Sequence, residues 1–151
     1  MVQAIPEGYH SVTPYLVVKD AKAALAWYQE ALGAEEVLRL PGPDGTLMHA
    51  EFRIGNSVVM MGEENPQMGA IGPATLGGSG VGICLYVENV DDAYAKALAA
   101  GGTEERPLQD QFYGDRSGTI RDPYGHQWTI ATHIEDVSPE ELDKRMAEMF
   151  S

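Results

Sequence analysis

The sequence predicts an α+β domain built from two tandem βαβββ modules, whose strands form a curled, cup-like mixed sheet with the helices outside. Three observations predict this class: the order of elements repeats once, turn glycines recur at nearly constant spacing, and 151 residues suit one domain. We expect a single domain over 1–151, with modules at about 11–63 and 81–133, a linker at 64–80 and a helical tail at 134–151.

Module one opens with a strand followed by a helix. Residues 11–19 are rich in β-branched and aromatic side chains, which favour a strand. Asp20 then suits the cap of a helix over 21–32, in which apolar residues recur at spacings of three and four. Gly33 supplies the left-handed stop. One face of this helix is therefore expected to pack on a sheet.

Three further strands complete module one, at 35–40, 47–54 and 57–63. The turns PGPDG and Gly55-Asn56 separate them. The glycine-rich segment 64–80 shows little periodicity and predicts either a plain linker or a flap.

The same order then restarts with a strand at 81–87 and a helix at 90–100. An offset of 69 aligns Leu16 with Leu85 and Gly33 with Gly102, whereas an offset of 70 aligns Gly55 with Gly125. Strands at 114–121 and 127–133 close the module, and His126 in the turn between them is expected to be exposed. The open edges of the two half-sheets are expected to lie against each other or against a partner chain.

The tail predicts one more helix, ending near Met149. Ser138 suits its cap, Pro139 its first position, and Glu141 completes a capping box. An apolar stripe follows, which docks on the same chain or on a second subunit; it comprises Leu142, Met146, Met149 and Phe150.

Composition narrows the range of partners. The formal net charge of −13 argues against nucleic acids and anionic membranes, which attract Lys and Arg clusters. No segment approaches the length of about 20 apolar residues that spans a bilayer, and no secretory signal is visible. Cys84 is the only cysteine, which excludes a disulfide within the chain and fits a cytoplasmic location.

Two segments carry a family resemblance: PYLVVKDAKAALAWYQEALGAE in module one and GTIRDPYGHQWTIATH in module two. Over residues 11–133 the chain resembles the vicinal oxygen chelate superfamily of glyoxalases, bleomycin-resistance proteins and dioxygenases. The resemblance implies that each module forms half of a cup and that the protein is a homodimer.

Metal-dependent members of this family place ligands on the first and last strand of each module. Carried onto this sequence, those positions fall at Thr13, near Val59, at Gly82 and at Thr129, and none is a good ligand for a divalent ion. We therefore expect no metal and no cofactor. An alternative is a displaced site for Zn, Ni, Mn or Fe, built from His49, Glu51 and His133.

Alternation along the strands turns a second set of residues toward the cup. Tyr15 and Tyr86 suit a planar ligand, Cys84 is expected to be an inert buried thiol, and Phe112 and Tyr113 are expected at the rim. The same residues also suit ordinary packing.

Glu51 is the candidate general base or holder of a ligand cation if it faces the cup. In the other hairpin register it is a solvated or ion-paired carboxylate. Arg121 occupies the matching place at an offset of 70, so a salt bridge between the two is a further expectation.

These features favour a metal-independent protein that sequesters an aromatic or amphipathic ligand in the cup. The alternative is a lyase, isomerase or dioxygenase of the same superfamily, and a third hypothesis is a structural partner that docks through its last helix. The candidate ligand-binding residues are Thr13, Tyr15, His49, Val59, Cys84, Tyr86, Phe112, Tyr113, Arg121, Thr129 and His133, with Glu51 as the candidate catalytic group.

Overall fold

The computed structural model describes residues 1–151 and contains two four-stranded sheets. The elements of module one are β1 (Tyr15–Val18), α1 (Ala21–Leu32), β2 (Glu35–Pro41), β3 (Leu47–Ile54) and β4 (Ser57–Glu63). A 3-10 turn (Pro66–Met68) and a short helix, α2 (Pro73–Leu76), follow. The remaining elements are β5 (Gly82–Tyr86), α3 (Val90–Ala99), β6 (Thr103–Asp110), β7 (Asp115–Arg121), β8 (Gln127–His133) and α4 (Pro139–Met149).

The two sheets share one topology, β1-β4-β3-β2 and β5-β8-β7-β6. The first strand of each module runs parallel to the last, and the other pairs are antiparallel. The predicted α+β fold of two βαβββ modules is thus confirmed. The modules form two separate sheets, because β1 and β5 are both edge strands and do not pair with each other.

Local signals in the sequence set most element boundaries. The Asp20 side chain accepts a hydrogen bond from the Ala23 N–H, and Gly33 ends α1 at a φ of 69°. β1 is shorter than predicted: it begins at Tyr15, although the Pro14 carbonyl oxygen still accepts a hydrogen bond from the Met60 N–H of β4 at 2.9 Å. β6, which has no strand prediction of its own, contains Pro107 and two register shifts that blur its alternation.

A single cluster of 21 buried residues runs through both modules, between the sheets and the helices α1 and α3. Asp122 joins the modules at its centre: its buried carboxylate accepts hydrogen bonds from Tyr28 in α1 (2.5 Å) and from the Trp128 indole in β8 (2.9 Å). His126 is buried, not exposed as predicted, because its Nε2 lies 3.0 Å from the Val17 carbonyl oxygen of module one.

Strand pairing gives the structural equivalence of the modules. Leu16 lies opposite Met61, and Leu85 lies opposite Ile130, an offset of 69. In the third strand of each module, β3 and β7, the offset is 68, because Ala50 lies opposite Met61 and Gly118 lies opposite Ile130. Glu51 therefore corresponds to Thr119 and not to Arg121, since the second hairpin is one residue longer than the first.

The last helix ends at Met149, and the Ser138 hydroxyl accepts a hydrogen bond from the Glu141 N–H as predicted. The Glu141 carboxylate does not close the capping box and pairs with Arg145 instead. Arg145 also pairs with Glu135 and donates to the Phe112 carbonyl, which ties the helix to its own chain. None of the residues of α4 is buried.

Candidate functional site

Each sheet has a face turned away from α1 and α3, which we call its open face. Leu16, Val18 and Ala50 point into the core, so alternation turns their neighbours the other way. The open face of module one carries Tyr15, Val17, His49, Glu51 and Met60. The open face of module two carries Cys84, Tyr86, Ser117, Thr119, Thr129 and His133.

The open face of module one holds a chain of four hydrogen-bonded side chains, the Glu51 network. Glu51 is only 7% exposed, and the Tyr9 hydroxyl donates to its Oε1. Its Oε2 lies 2.7 Å from Nε2 of His49, and the other ring nitrogen of His49, Nδ1, lies 3.1 Å from the Tyr15 hydroxyl. The buried carboxylate is thus linked through an imidazole to a half-exposed phenol.

The pKa of Glu51 lies below its ordinary value. Burial raises this pKa, but the hydrogen bonds from Tyr9 and His49 together outweigh burial. Glu51 is therefore an ionised acceptor with both oxygens engaged, which makes it a poor general base and a good orienting group for His49.

The open face of module two holds a different arrangement, the Asp115 network. Asp115 is 5% exposed and accepts a hydrogen bond from the Tyr86 hydroxyl at 2.7 Å. His133 lies between two carboxylates, with Nδ1 2.8 Å from Asp115 and Nε2 2.7 Å from Asp136. Hydrogen bonding to Asp115, with a contribution from Asp136, raises the pKa of His133, and the Asp115 contact raises the pKa of Tyr86 to about 12.

Three cavities adjoin the open faces, and one of them, of about 320 Å³, is lined by Tyr15 and Val17. A cleft of about 560 Å³ lies between the N-terminal segment and β3–β4 hairpin of module one and strand β5 of module two, and Thr13, Cys84 and Tyr86 line it. A polar pocket of about 310 Å³ is lined by Tyr113 and Thr129 among others.

The rim of the polar pocket is held by both packing and hydrogen bonds. Phe112 packs edge-to-face on Tyr113 at 5.3 Å, and the Phe112 carbonyl oxygen accepts a hydrogen bond from Arg145. Across the pocket floor, the hydroxyls of Thr119 and Thr129 lie 2.9 Å apart.

Three predicted site residues have surroundings that differ from the prediction. Val59 belongs to the buried core, where it pairs with Phe52, and it also lines the cleft between the modules. Arg121 forms an ion pair with Glu105 at 2.5 Å and does not meet Glu51. Cys84 is exposed, not buried, although partial burial of its thiol and the nearby charge of Asp115 raise its pKa, which agrees with low reactivity.

Sequence reasoning missed three members of the two networks. Tyr9 precedes the first strand, where no periodicity marks it, and Asp136 lies in an irregular segment. Asp115 is the first residue of β7 and the buried centre of its network. Burial of a carboxylate at the start of a strand leaves no signal in a single sequence.

The donor set does not fit the metal of the family. At the four implied positions, Val59 is buried in the core and Gly82 has no side chain. His49 and Glu51 bond to each other, while His133 is engaged by Asp115 and Asp136. No three His, Cys, Asp or Glu side chains converge in a way that could hold a metal ion.

Two duplicated βαβββ modules with a shared core define the class of the fold. The sequence profile of the Glyoxalase/Bleomycin resistance protein/Dioxygenase superfamily matches residues 8–130, and the chain belongs to this superfamily. None of the helices combines the length and apolarity that a bilayer crossing requires.

Relatives and solved structures agree with this membership. An uncharacterized protein of Mycobacterium tuberculosis is 41% identical over 140 residues, 91% of this chain and 82% of that protein. Protein YjdN of Escherichia coli is 28% identical over 142 residues, 79% of this chain and 92% of YjdN. The crystal structure of TioX from Micromonospora superposes with a TM-score of 0.66 at 27% identity, covering 83% of this chain and 99% of TioX.

Proposed function

We propose that the protein is a metal-independent binding protein whose open faces together form a cup for a small aromatic or amphipathic ligand. The observation that carries the proposal is a pair of half-exposed tyrosines, Tyr15 at 52% and Tyr86 at 60% exposure. The hydroxyl of each is hydrogen-bonded to a group on its own sheet, His49 or Asp115.

Fixed aromatic side chains suit this role for an energetic reason. A ring that is already held in place loses little side-chain entropy when a ligand covers it, whereas ordering a free side chain costs about 0.5 to 1.5 kcal/mol. Tyr15 and Tyr86 also present an apolar ring next to a polar hydroxyl, which suits a planar amphipathic molecule.

The donor sets of both networks support metal independence. Every imidazole and buried carboxylate on the open faces already has a side-chain partner, so a metal ion has to displace these hydrogen bonds. The role proposed is therefore sequestration of a ligand in the cytoplasm, without a metal-dependent reaction.

The same proposal includes a homodimer. β1 and β5 are edge strands, and α4 leaves Met146, Met149 and Phe150 exposed. Exposed edges and apolar stripes are the surfaces that a second subunit covers. Light scattering on a sizing column at several concentrations tests this part, and a monomer at all of them contradicts it.

A thermal-shift screen with neutral, cationic and anionic naphthalene derivatives tests the binding itself. We expect at least one compound to raise the melting temperature of the wild type, and Tyr15→Ala and Tyr86→Ala to weaken its binding by about tenfold each. Met68→Ala is the control, since it removes an 82% exposed apolar side chain outside both networks and outside the proposed dimer surface. Equal binding by all three variants contradicts the proposal.

A further inference from the structure

The Glu51 network ends at an exposed hydroxyl, and this end has the geometry of an activated nucleophile. Tyr15 is within hydrogen-bond distance of His49, and His49 is in turn oriented by the buried carboxylate of Glu51. A nucleophile, a base and a group that orients the base, each in contact with the next, form the arrangement by which enzymes activate hydroxyl groups.

The hydrogen bonds determine where the protons lie. Glu51 is ionised and accepts only, so Nε2 of His49 carries the hydrogen that points at it. In the neutral ring Nδ1 then has a free lone pair, and the Tyr15 hydroxyl donates to it. His49 is thus placed to take the Tyr15 proton, and the resulting imidazolium lies against the charge of Glu51.

Tyr86 provides an internal comparison. It is exposed to a similar extent on the other open face, but its hydroxyl donates to Asp115, a weak base. That contact stabilises the protonated phenol, which is why the pKa of Tyr86 is raised to about 12. The two tyrosines therefore differ in the base that they face rather than in their access to solvent.

We propose that Tyr15 is a reactive nucleophile, activated through His49 and Glu51, for neutral aromatic esters and related electrophiles. The Tyr15 oxygen attacks the carbonyl carbon and forms a new C–O bond as its proton passes to Nδ1 of His49. The ester C–O bond then breaks, and the leaving alcohol takes that proton from His49. The products are an acylated Tyr15 and a free alcohol, and no further reactant is needed.

Benzenesulfonyl fluoride probes the same attack and leaves a stable adduct. The Tyr15 oxygen bonds to sulfur, the S–F bond breaks, and fluoride leaves while the proton goes to His49. Peptide mass spectrometry measures the labelling rate of each tyrosine. We expect Tyr15 to react about 100-fold faster than Tyr86, the scale of general-base assistance.

Two variants test whether the reactivity of Tyr15 depends on proton transfer to His49 or only on the exposure of Tyr15 to solvent. His49→Gln retains a side chain that can bond to Glu51 but cannot accept the proton, and we expect it to slow labelling of Tyr15 by about 100-fold. Met68→Gln, which places a glutamine at an 82% exposed position outside the Glu51 network, is the control and is expected to change labelling by less than about threefold. Labelling that is equal at Tyr15 and Tyr86, absent at both, or unchanged in His49→Gln overturns the proposal.

A pH profile of the labelling rate uses the wild type alone, so its result does not depend on whether a variant folds. We expect the labelling rate of Tyr86 to stay low until alkaline pH, because the Asp115 contact raises the pKa of Tyr86 to about 12, and the rate of Tyr15 to exceed it throughout that range. Coincident profiles contradict activation. The inference depends on the proposed function in one respect only: the proposed cup is the site that holds the aromatic ring of the ester. A labelled Tyr15 in a protein that fails the naphthalene screen therefore refutes the binding role and leaves this inference intact.

Discussion

The two modules are alike where their sheets meet the helices and different on their open faces. Leu16 and Leu85 occupy equivalent core-facing positions, whereas Glu51 and His49 of module one correspond to Thr119 and Ser117 of module two. Burial against a helix favours apolar side chains, so duplicated copies stay similar there. The open faces carry no such constraint, and each module has built its network from different positions.

Even the shared core contains a compensating exchange. Leu25 of α1 aligns with Tyr94 of α3 at the offset of 69, and Ala50 of β3 is equivalent to Gly118 of β7. The larger helix residue in module two thus faces the smaller strand residue. A Cβ added at Gly118 comes within 2.5 Å of the Tyr94 ring, so the two sizes are coupled.

The largest effect is expected at the junction of the modules. Asp122→Ala leaves the Tyr28 hydroxyl, the Trp128 indole and two backbone N–H groups without their buried acceptor, and we expect it to lower the free energy of unfolding by about 4 kcal/mol. Urea denaturation measures this loss. Asp20→Ala, which removes an exposed helix cap, is the control, and we expect it to lower the free energy of unfolding by only about 1 kcal/mol.

Glu51→Gln tests the network of module one through its pH dependence. We expect the variant to lose about 1.5 to 3 kcal/mol of unfolding free energy near neutral pH, since the buried carboxylate accepts two hydrogen bonds. The folded-state pKa of Glu51 is lowered from 4.5, so its contribution is present above that value and disappears as the pH falls through the folded pKa. A difference between wild type and variant that persists at pH 2 contradicts this assignment.

Gly118→Ala tests the size exchange in the core. The new Cβ overlaps the Tyr94 ring, and we expect a cost of about 1 to 3 kcal/mol in unfolding free energy. Combining it with Tyr94→Leu reproduces the Leu25 and Ala50 pair of module one. A double-mutant cycle is expected to show that Gly118→Ala is better tolerated in a chain that already carries Tyr94→Leu, and additive effects contradict the coupling.

His133→Gln is expected to have the smallest effect, confined to one range of pH. Asp115 and then Asp136 raise the pKa of His133 above 6.5, so its stabilising contribution is present below that value and is lost as the pH rises through the folded pKa. Thermal melts at pH 5.5 and pH 9 are expected to separate the variant from the wild type only at the lower pH. A separation at pH 9 of equal size argues against imidazolium pairing.

Short-range signals were sufficient for most of the fold. The cap at Asp20, the stop at Gly33 and the alternation in β3 are local, and these elements formed as predicted. β6 was missed because Pro107 and two register shifts interrupt its pattern. The offset of 70 taken from the hairpin glycines failed inside the hairpin, where one extra residue changes the equivalence of β3 and β7.

The candidate site was harder to predict because its contacts link distant parts of the chain. Alternation indicates Tyr15, His49 and Glu51 one by one, but their joining into one network depends on the pairing of β1, β4 and β3. Tyr9 and Asp115 lie outside any periodic pattern, and a single sequence does not show that they touch Glu51 and Tyr86. The expected ion pair between Glu51 and Arg121 is wrong for the same reason. The extra residue in the second hairpin puts Thr119, not Arg121, at the position equivalent to Glu51.

The most direct test of the central claim, a cup that binds without a metal, is elemental analysis of protein purified without a metal-affinity tag. Calorimetric titration with zinc, nickel, manganese and iron(II) follows on the same sample. The account predicts no stoichiometric metal and no saturable site, because the imidazoles of both networks are already paired. Near-stoichiometric metal that is lost in a His49→Gln, Glu51→Gln or His133→Gln variant contradicts it.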